Sequence, residues 1–134
     1  MSALIIIDVQ NDFINGSLAI DNSHEIISKI NDLKKIKFGL IVLSQDSHPP
    51  NHCSFAINND KIEFTEINMV YKYTNYKQMM WPQHCVKDSF GEKFHKDLEI
   101  YNTDVIVKKG ENYQLDSYSV FYDNLRFNKT KLDN

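Results

Sequence analysis

The chain has 134 residues, 42% hydrophobic and 25% charged, a globular composition with length for one domain, residues 1–134, and not two. A net charge of -3 and a sequence pI near 5.9 leave no basic footprint for nucleic acid, and no run approaches the roughly 18 apolar residues of a membrane span. Two cysteines, Cys53 and Cys85, make no secreted disulfide framework, and no targeting segment precedes Leu4, so a soluble, cytoplasmic protein is expected.

Ala3-Leu4-Ile5-Ile6-Ile7 is an unbroken apolar run, which suits a strand buried on both faces of a parallel sheet. It ends at Asp8, and the carboxyl end of such a strand is where open α/β sheets place their sites. Asn15-Gly16 marks a turn. Asn22, with Glu25 three residues on, predicts a helix N-cap, and Ile26, Ile27, Ile30, Leu33 and Ile36 follow at helical spacing. Phe38-Gly39-Leu40-Ile41-Val42-Leu43 then reads as a second strand. Strand, helix, strand is a βαβ unit, so the two strands should be parallel and bring Asp8 and Asp46 to one edge of the sheet.

The second strand runs into Ser44-Gln45-Asp46-Ser47-His48-Pro49-Pro50-Asn51-His52, a loop with one carboxylate and two imidazoles. Asp46 and His48 are two apart and point the same way in an extended segment, and the two prolines let His52 turn back toward them. Carboxylate with imidazole suits Zn²⁺, Fe²⁺ or Mn²⁺ alike. Residues 57–80 are less legible: Val70–Tyr76 alternates weakly and fits a hairpin arm or an irregular flap. The chain's one Trp, a Pro and a third imidazole are compressed into Trp81-Pro82-Gln83-His84, followed by Cys85. Gly91–Leu98 predicts a short helix. Asp104-Val105-Ile106-Val107-Lys108 predicts a third strand, ending at Lys109-Gly110 beside the same crevice. Asp116–Tyr122 is an aromatic-rich loop or short helix.

Several stretches together resemble the isochorismatase-like hydrolase superfamily and, within it, the nicotinamidases (pyrazinamidases). They are Leu4–Phe13 with Asp8, Gln45–His52, Trp81-Pro82-Gln83-His84-Cys85-Val86, Lys109-Gly110 and Asp116–Phe121, in family order. The resemblance implies a three-layer, Rossmann-like parallel sheet with helices on both faces, and hydrolysis of nicotinamide to nicotinate and ammonia, a salvage step toward NAD. It implies Asp8 as general base and Lys109 as its basic partner. Asp46, His48 and His84 would be metal ligands with His52 as a further one, Zn²⁺ first and Fe²⁺ or Mn²⁺ admitted. Phe13 and Trp81 would wall the ring pocket of a small-molecule substrate.

The family's nucleophilic cysteine has no counterpart in this sequence. Cys85 belongs to the Trp-Pro-x-His-Cys segment and Cys53 to the metal loop. The expectation is a chain truncated before that cysteine, incomplete at the C-terminal side of the sheet and inactive by itself. It would be a non-catalytic metal- or pyridine-binding remnant or one half of a split enzyme, and either a homo-oligomer or the partner of a complementing C-terminal fragment would cover the open sheet edge.

Overall fold

A computed structural model describes residues 2–133. Its centre is a parallel three-stranded sheet in the order β1 (Ala3–Ile6), β2 (Leu40–Asp46), β5 (Val105–Lys109). Between β1 and β2 lie a one-turn helix α1 (Asn11–Ile14) and the longer α2 (Glu25–Lys34). A separate antiparallel hairpin, β3 (Glu66–Tyr71) and β4 (Thr74–Met79), rises from residues 57–80, so the weak alternation there belongs to a hairpin.

The two faces of β2 are covered differently, because successive side chains point to opposite sides. Leu43 packs with Ile6, Val9, Ile14, Ile27 and Leu98 on the α2 side. Val42 packs with Val107 and Val120 on the other side, where Leu132 closes the cluster. Lys34, at the end of α2, is itself buried and pairs with Asp104 at 2.5 Å beneath the Tyr101 ring, which fastens the helix to the segment before β5.

Four expectations change. β1 is not buried on both faces: it is the outer strand, Ile5 is 39% and Ile7 52% exposed, and among the described residues nothing pairs with its outer edge. An apolar run reports burial potential but not which neighbours are present. The cap of α2 is His24, while Asn22 sits in a left-handed turn at φ +59. Of its apolar stripe Ile27 is buried and Ile30 half-buried, whereas Ile26 and Leu33 stay exposed. β2 runs three residues beyond Leu43, because Ser44, Gln45 and Asp46 pair with Val107, Lys108 and Lys109. Asp46 is therefore the last residue of a strand and not a loop residue.

Finally, Gly91–Leu98 is not helical. Its backbone is used sideways: the Gly91 and Lys93 carbonyls accept from Asp12 and Asn11, and the His95 N–H donates to Val9. A segment that spends its polar groups on a neighbour cannot also close i to i-4 bonds. No helix among the described residues is long and apolar enough to cross a membrane.

Candidate active site and metal centre

Three strand ends supply the site. β1 ends before Asp8, which turns out of the sheet in the left-handed region at φ +51. Its position is fixed by Ser44 on the neighbouring strand: the Asp8 N–H donates to Ser44 Oγ at 3.0 Å, and Ser44 Oγ donates to Asp8 Oδ1 at 2.6 Å. β2 ends at Asp46, clamped by the fully buried Gln10. The Asp46 N–H donates to Gln10 Oε1 at 2.8 Å, and Gln10 Nε2 donates to the carbonyls of Asp46 and Glu92 at 2.8 and 2.7 Å. β5 ends at Lys109, whose ammonium joins the other two: 3.0 Å to Asp8 Oδ2, 2.9 Å to Asp46 Oδ1, and 3.1 Å to the Ser117 carbonyl. All three of its protons are thereby engaged.

The imidazoles converge on the other oxygen of the same carboxylate. His48 Nε2 lies 3.0 Å and His84 Nε2 3.5 Å from Asp46 Oδ2. The far nitrogen of each ring faces a backbone carbonyl, His48 Nδ1 to Gly110 at 2.9 Å and His84 Nδ1 to Pro82 at 2.7 Å. A carbonyl only accepts, so Nδ1 carries a proton in both rings, and Nε2 is the nitrogen turned toward Asp46: with a proton it donates to the carboxylate, and without one it offers the lone pair a metal requires. His84 reaches this point because His48 and Val86 form a parallel bridge, with the His48 N–H donating to the Cys85 carbonyl. Phe55, fully buried, packs within 5.6 Å of all three imidazole rings.

His52 is arranged differently. It is fully buried, stacks 4.1 Å from His48, and meets Ser54 Oγ at 2.8 Å through Nδ1. Its Nε2 has no hydrogen-bond partner. Burial, with His48 beside it, lowers its pKa to about 3, so the ring is neutral. Candidate ligand atoms fall into two groups that share His48: Asp46/His48/His84, and His48/His52/Asp116. His52 thus belongs with Asp116, not with the trio around Asp46. Two imidazole nitrogens turned toward one carboxylate, with an orphaned imidazole nitrogen nearby, fit a borderline divalent cation.

Electrostatics follow the same geometry. Burial opposes the charge on Asp46, but hydrogen bonds from His48 and His84 and the Lys109 ammonium hold its carboxyl well below the usual range. Burial raises the Asp8 pKa, and Lys109 only partly offsets it. Lys109 itself is raised despite burial, because Asp46 and Asp8 flank it.

Asp8, Asp46, His84, Lys109, Phe13 and Trp81 all line one cavity of about 230 Å³, with Leu18, Asp116 and Tyr118. Phe13 lies 5.6 Å from the His84 ring, and Trp81 packs edge-on to Tyr118 at 6.3 Å. Neither cysteine reaches this cavity. Cys53 is half-buried, and burial pushes its thiol up to about 12. Cys85 is buried, its N–H bonded to Asp12 Oδ2 at 2.7 Å, and burial beside Asp46 and Asp12 raises its thiol as well. Both are shifted away from the thiolate that a nucleophile needs.

Sequence reasoning missed Ser44, Gln10, Phe55, Asp116 and Tyr118 as parts of the site. Ser44 and Gln10 each lie two residues from a predicted site carboxylate, and that spacing was the available signal.

The model of the isochorismatase domain matches residues 2–125. The chain is 39% identical over 132 residues to a nicotinamidase of Acinetobacter baylyi, spanning 97% of this chain and 59% of that protein. It is 33% identical over 150 residues to a nicotinamidase of Saccharomyces cerevisiae, spanning 99% and 68%. The solved yeast nicotinamidase bound to the inhibitor nicotinaldehyde superposes with a TM-score of 0.94 at 32% identity, over 99% of this chain and 68% of that one. A Pyrococcus horikoshii pyrazinamidase in complex with zinc gives 0.73 at 30% identity, over 98% and 60%. The chain is 36% identical over 135 residues to a nicotinamidase of Escherichia coli, and it spans only 59% of the Acinetobacter relative's length and 62% of the Escherichia one's.

Proposed function

We propose that this chain, which belongs to the isochorismatase domain family, is the metal- and ring-binding part of a nicotinamidase. In that reaction water adds across the amide C–N bond of nicotinamide, giving nicotinate and ammonia and returning the ring toward NAD. The observation that carries the reading is the Lys109 ammonium, which ties Asp8 and the metal-side carboxylate Asp46 into one cavity walled by Phe13 and Trp81. Asp8 acts as general base, and burial raises its pKa above the usual carboxylate value, which strengthens it as a proton acceptor. Lys109 holds that carboxylate in place and balances its charge. Asp46, His48 and His84 would hold the metal, whereas His52 falls in a second group with His48 and Asp116. Zn²⁺ is favoured by the donor set, and Fe²⁺ and Mn²⁺ share its ligand preferences. A cation held there would supply Lewis-acid chemistry to the ring cavity. Flat aromatic walls hold the ring so that its amide carbon is presented to the attacking thiol, a gain from orientation.

The nucleophilic thiol comes from polypeptide outside residues 1–134, because Cys53 and Cys85 lie away from the cavity with raised pKa values. Its place of entry is the open edge of β1. Beyond the last residue of β1, an apolar groove of about 240 Å³, lined by Ile7, Val9, Ile14, Ile20 and Ile26, shares Asp8 and Phe13 with the ring cavity. A strand added to β1 would end beside Asp8. By itself the chain is a single-domain, cytoplasmic, metal- and pyridine-binding protein, a reading favoured by the two unactivated thiols.

The test is an ammonia-release assay with nicotinamide and Zn²⁺. The chain alone should give no turnover while calorimetry detects both ligands, and a cysteine-bearing complementing fragment should restore it. Turnover by the chain alone that disappears in Cys85→Ser or Cys53→Ser would overturn the external-thiol part. Absence of Zn²⁺ and nicotinamide binding would overturn the whole reading.

A further inference from the structure

Cys85 joins two of the imidazoles through its backbone, in a conformation that its side chain disfavours. It follows His84, its carbonyl accepts from the His48 N–H at 3.0 Å, and its φ is +45. The left-handed region is costly for a residue with a Cβ, and cysteine has no side-chain hydrogen bond that would favour it there. Rotation about the same N–Cα bond would swing His84 relative to a carbonyl that is anchored on His48. What holds the bond is a carboxylate: the Cys85 N–H donates to Asp12 Oδ2 at 2.7 Å, and a charged acceptor makes a bond of the stronger kind.

Asp12 fits there because two glycines leave it room. A Cβ at Gly91 would overlap Asp12 Oδ2, and one at Gly16 would overlap Oδ1. Neither glycine has a positive φ, so what each supplies is space. The seat is closed by further bonds. Oδ1 accepts from the Ser17 N–H at 3.3 Å, and the Asp12 N–H donates to the Gly91 carbonyl at 3.2 Å. Asp12 itself does not line the ring cavity, but it immediately precedes Phe13, which does. One side chain therefore fastens the helix turn that carries an aromatic wall to the segment that carries His84.

We propose that Asp12 is a positioning residue for the metal trio: its carboxylate holds Cys85 in the left-handed conformation that brings His84 and His48 to one oxygen of Asp46. The inference rests on the metal-site reading above and adds to it the residue that arranges the ligands from outside. Partners of this kind set ligand orientation and are felt in metal affinity without touching the metal.

The experiment is calorimetric titration of the whole chain with Zn²⁺, beside urea unfolding of each variant without metal. Asp12→Asn should weaken zinc about tenfold, because an amide turns an NH₂ toward one of two N–H groups that need an acceptor. Gly91→Ala keeps the carboxylate but fills its seat, and should weaken zinc in the same way. Cys85→Gly takes the left-handed region freely, so alone it should stay within about twofold of wild-type zinc affinity. Added to Asp12→Asn, it should recover most of the lost affinity. A residue that only stabilised the fold would lower the urea midpoint with no zinc defect that glycine at 85 repairs. Undiminished zinc affinity in Asp12→Asn and Gly91→Ala, or a loss that Cys85→Gly leaves in place, overturns the proposal. Wild-type chain that binds no Zn²⁺ overturns the metal-site reading and the proposal with it, and the two failures are thereby told apart.

Discussion

Asp46 is the residue on which the two halves of the site depend, because each of its carboxylate oxygens serves one half. Oδ1 meets Lys109 and Oδ2 meets His48 and His84. Its own place is set by Gln10, so Gln10→Met should leave a buried N–H and a carbonyl unpaired. That should cost about 3 kcal/mol in urea unfolding and weaken zinc binding without touching a ligand. The thiols make a separate prediction. With Cys53 near 12 and Cys85 raised further, neither should be alkylated by iodoacetamide at pH 8 in the folded chain, and both should react in urea. Rapid native labelling would mean that one of them is a thiolate after all. At this scale Asp8, Asp46, His48 and Lys109 were legible because charged residues at strand ends stand out from apolar runs. Phe55 was not, because a buried aromatic beside a polar loop looks the same whether or not it supports three imidazoles.

Loops and strand ends carry the next level. Gly110 follows β5 at φ +72, and a Cβ there would lie 2.4 Å from His48 Cε1 and 3.0 Å from Asp46 Oδ1. Gly110→Ala should therefore cost at least about 1–2 kcal/mol from the backbone alone. It should also lower zinc affinity about tenfold or more by turning the His48 ring. Both are read from one calorimetric and one denaturant series. Glu92 ties the 84–98 segment to β5: its Oε1 accepts from Lys108 at 2.8 Å and its Oε2 from the Asp88 N–H at 2.7 Å. Burial opposes its charge, yet those bonds leave its pKa below the ordinary value. A depressed carboxyl stabilises above its unfolded pKa, about 4.3, and the gain disappears as pH falls through the folded value. Glu92→Gln should accordingly cost about 1–2 kcal/mol at pH 7, and the difference from wild type should shrink as pH falls below about 4.3. The extension of β2 and the loss of the Gly91–Leu98 helix were illegible for one shared reason. Each is decided by pairing with a segment distant in sequence, which local propensity does not report.

Across the whole molecule, the parallel βαβ geometry was readable because a strand, helix, strand pattern admits one hand and one edge for its site. The exposed edge of β1 was not, since Ile5 and Ile7 would read identically in a central strand. That edge adjoins Asp8. Lys109 makes the ring cavity and the metal cluster one electrostatic unit, and occupation of one side should favour the other. Nicotinamide titrated into the chain with and without Zn²⁺ reads this coupling: zinc should tighten nicotinamide about tenfold, nicotinamide should tighten zinc by the same factor, and Asp46→Asn should abolish both effects. Nicotinamide affinity that is identical with and without bound zinc would contradict a single shared site.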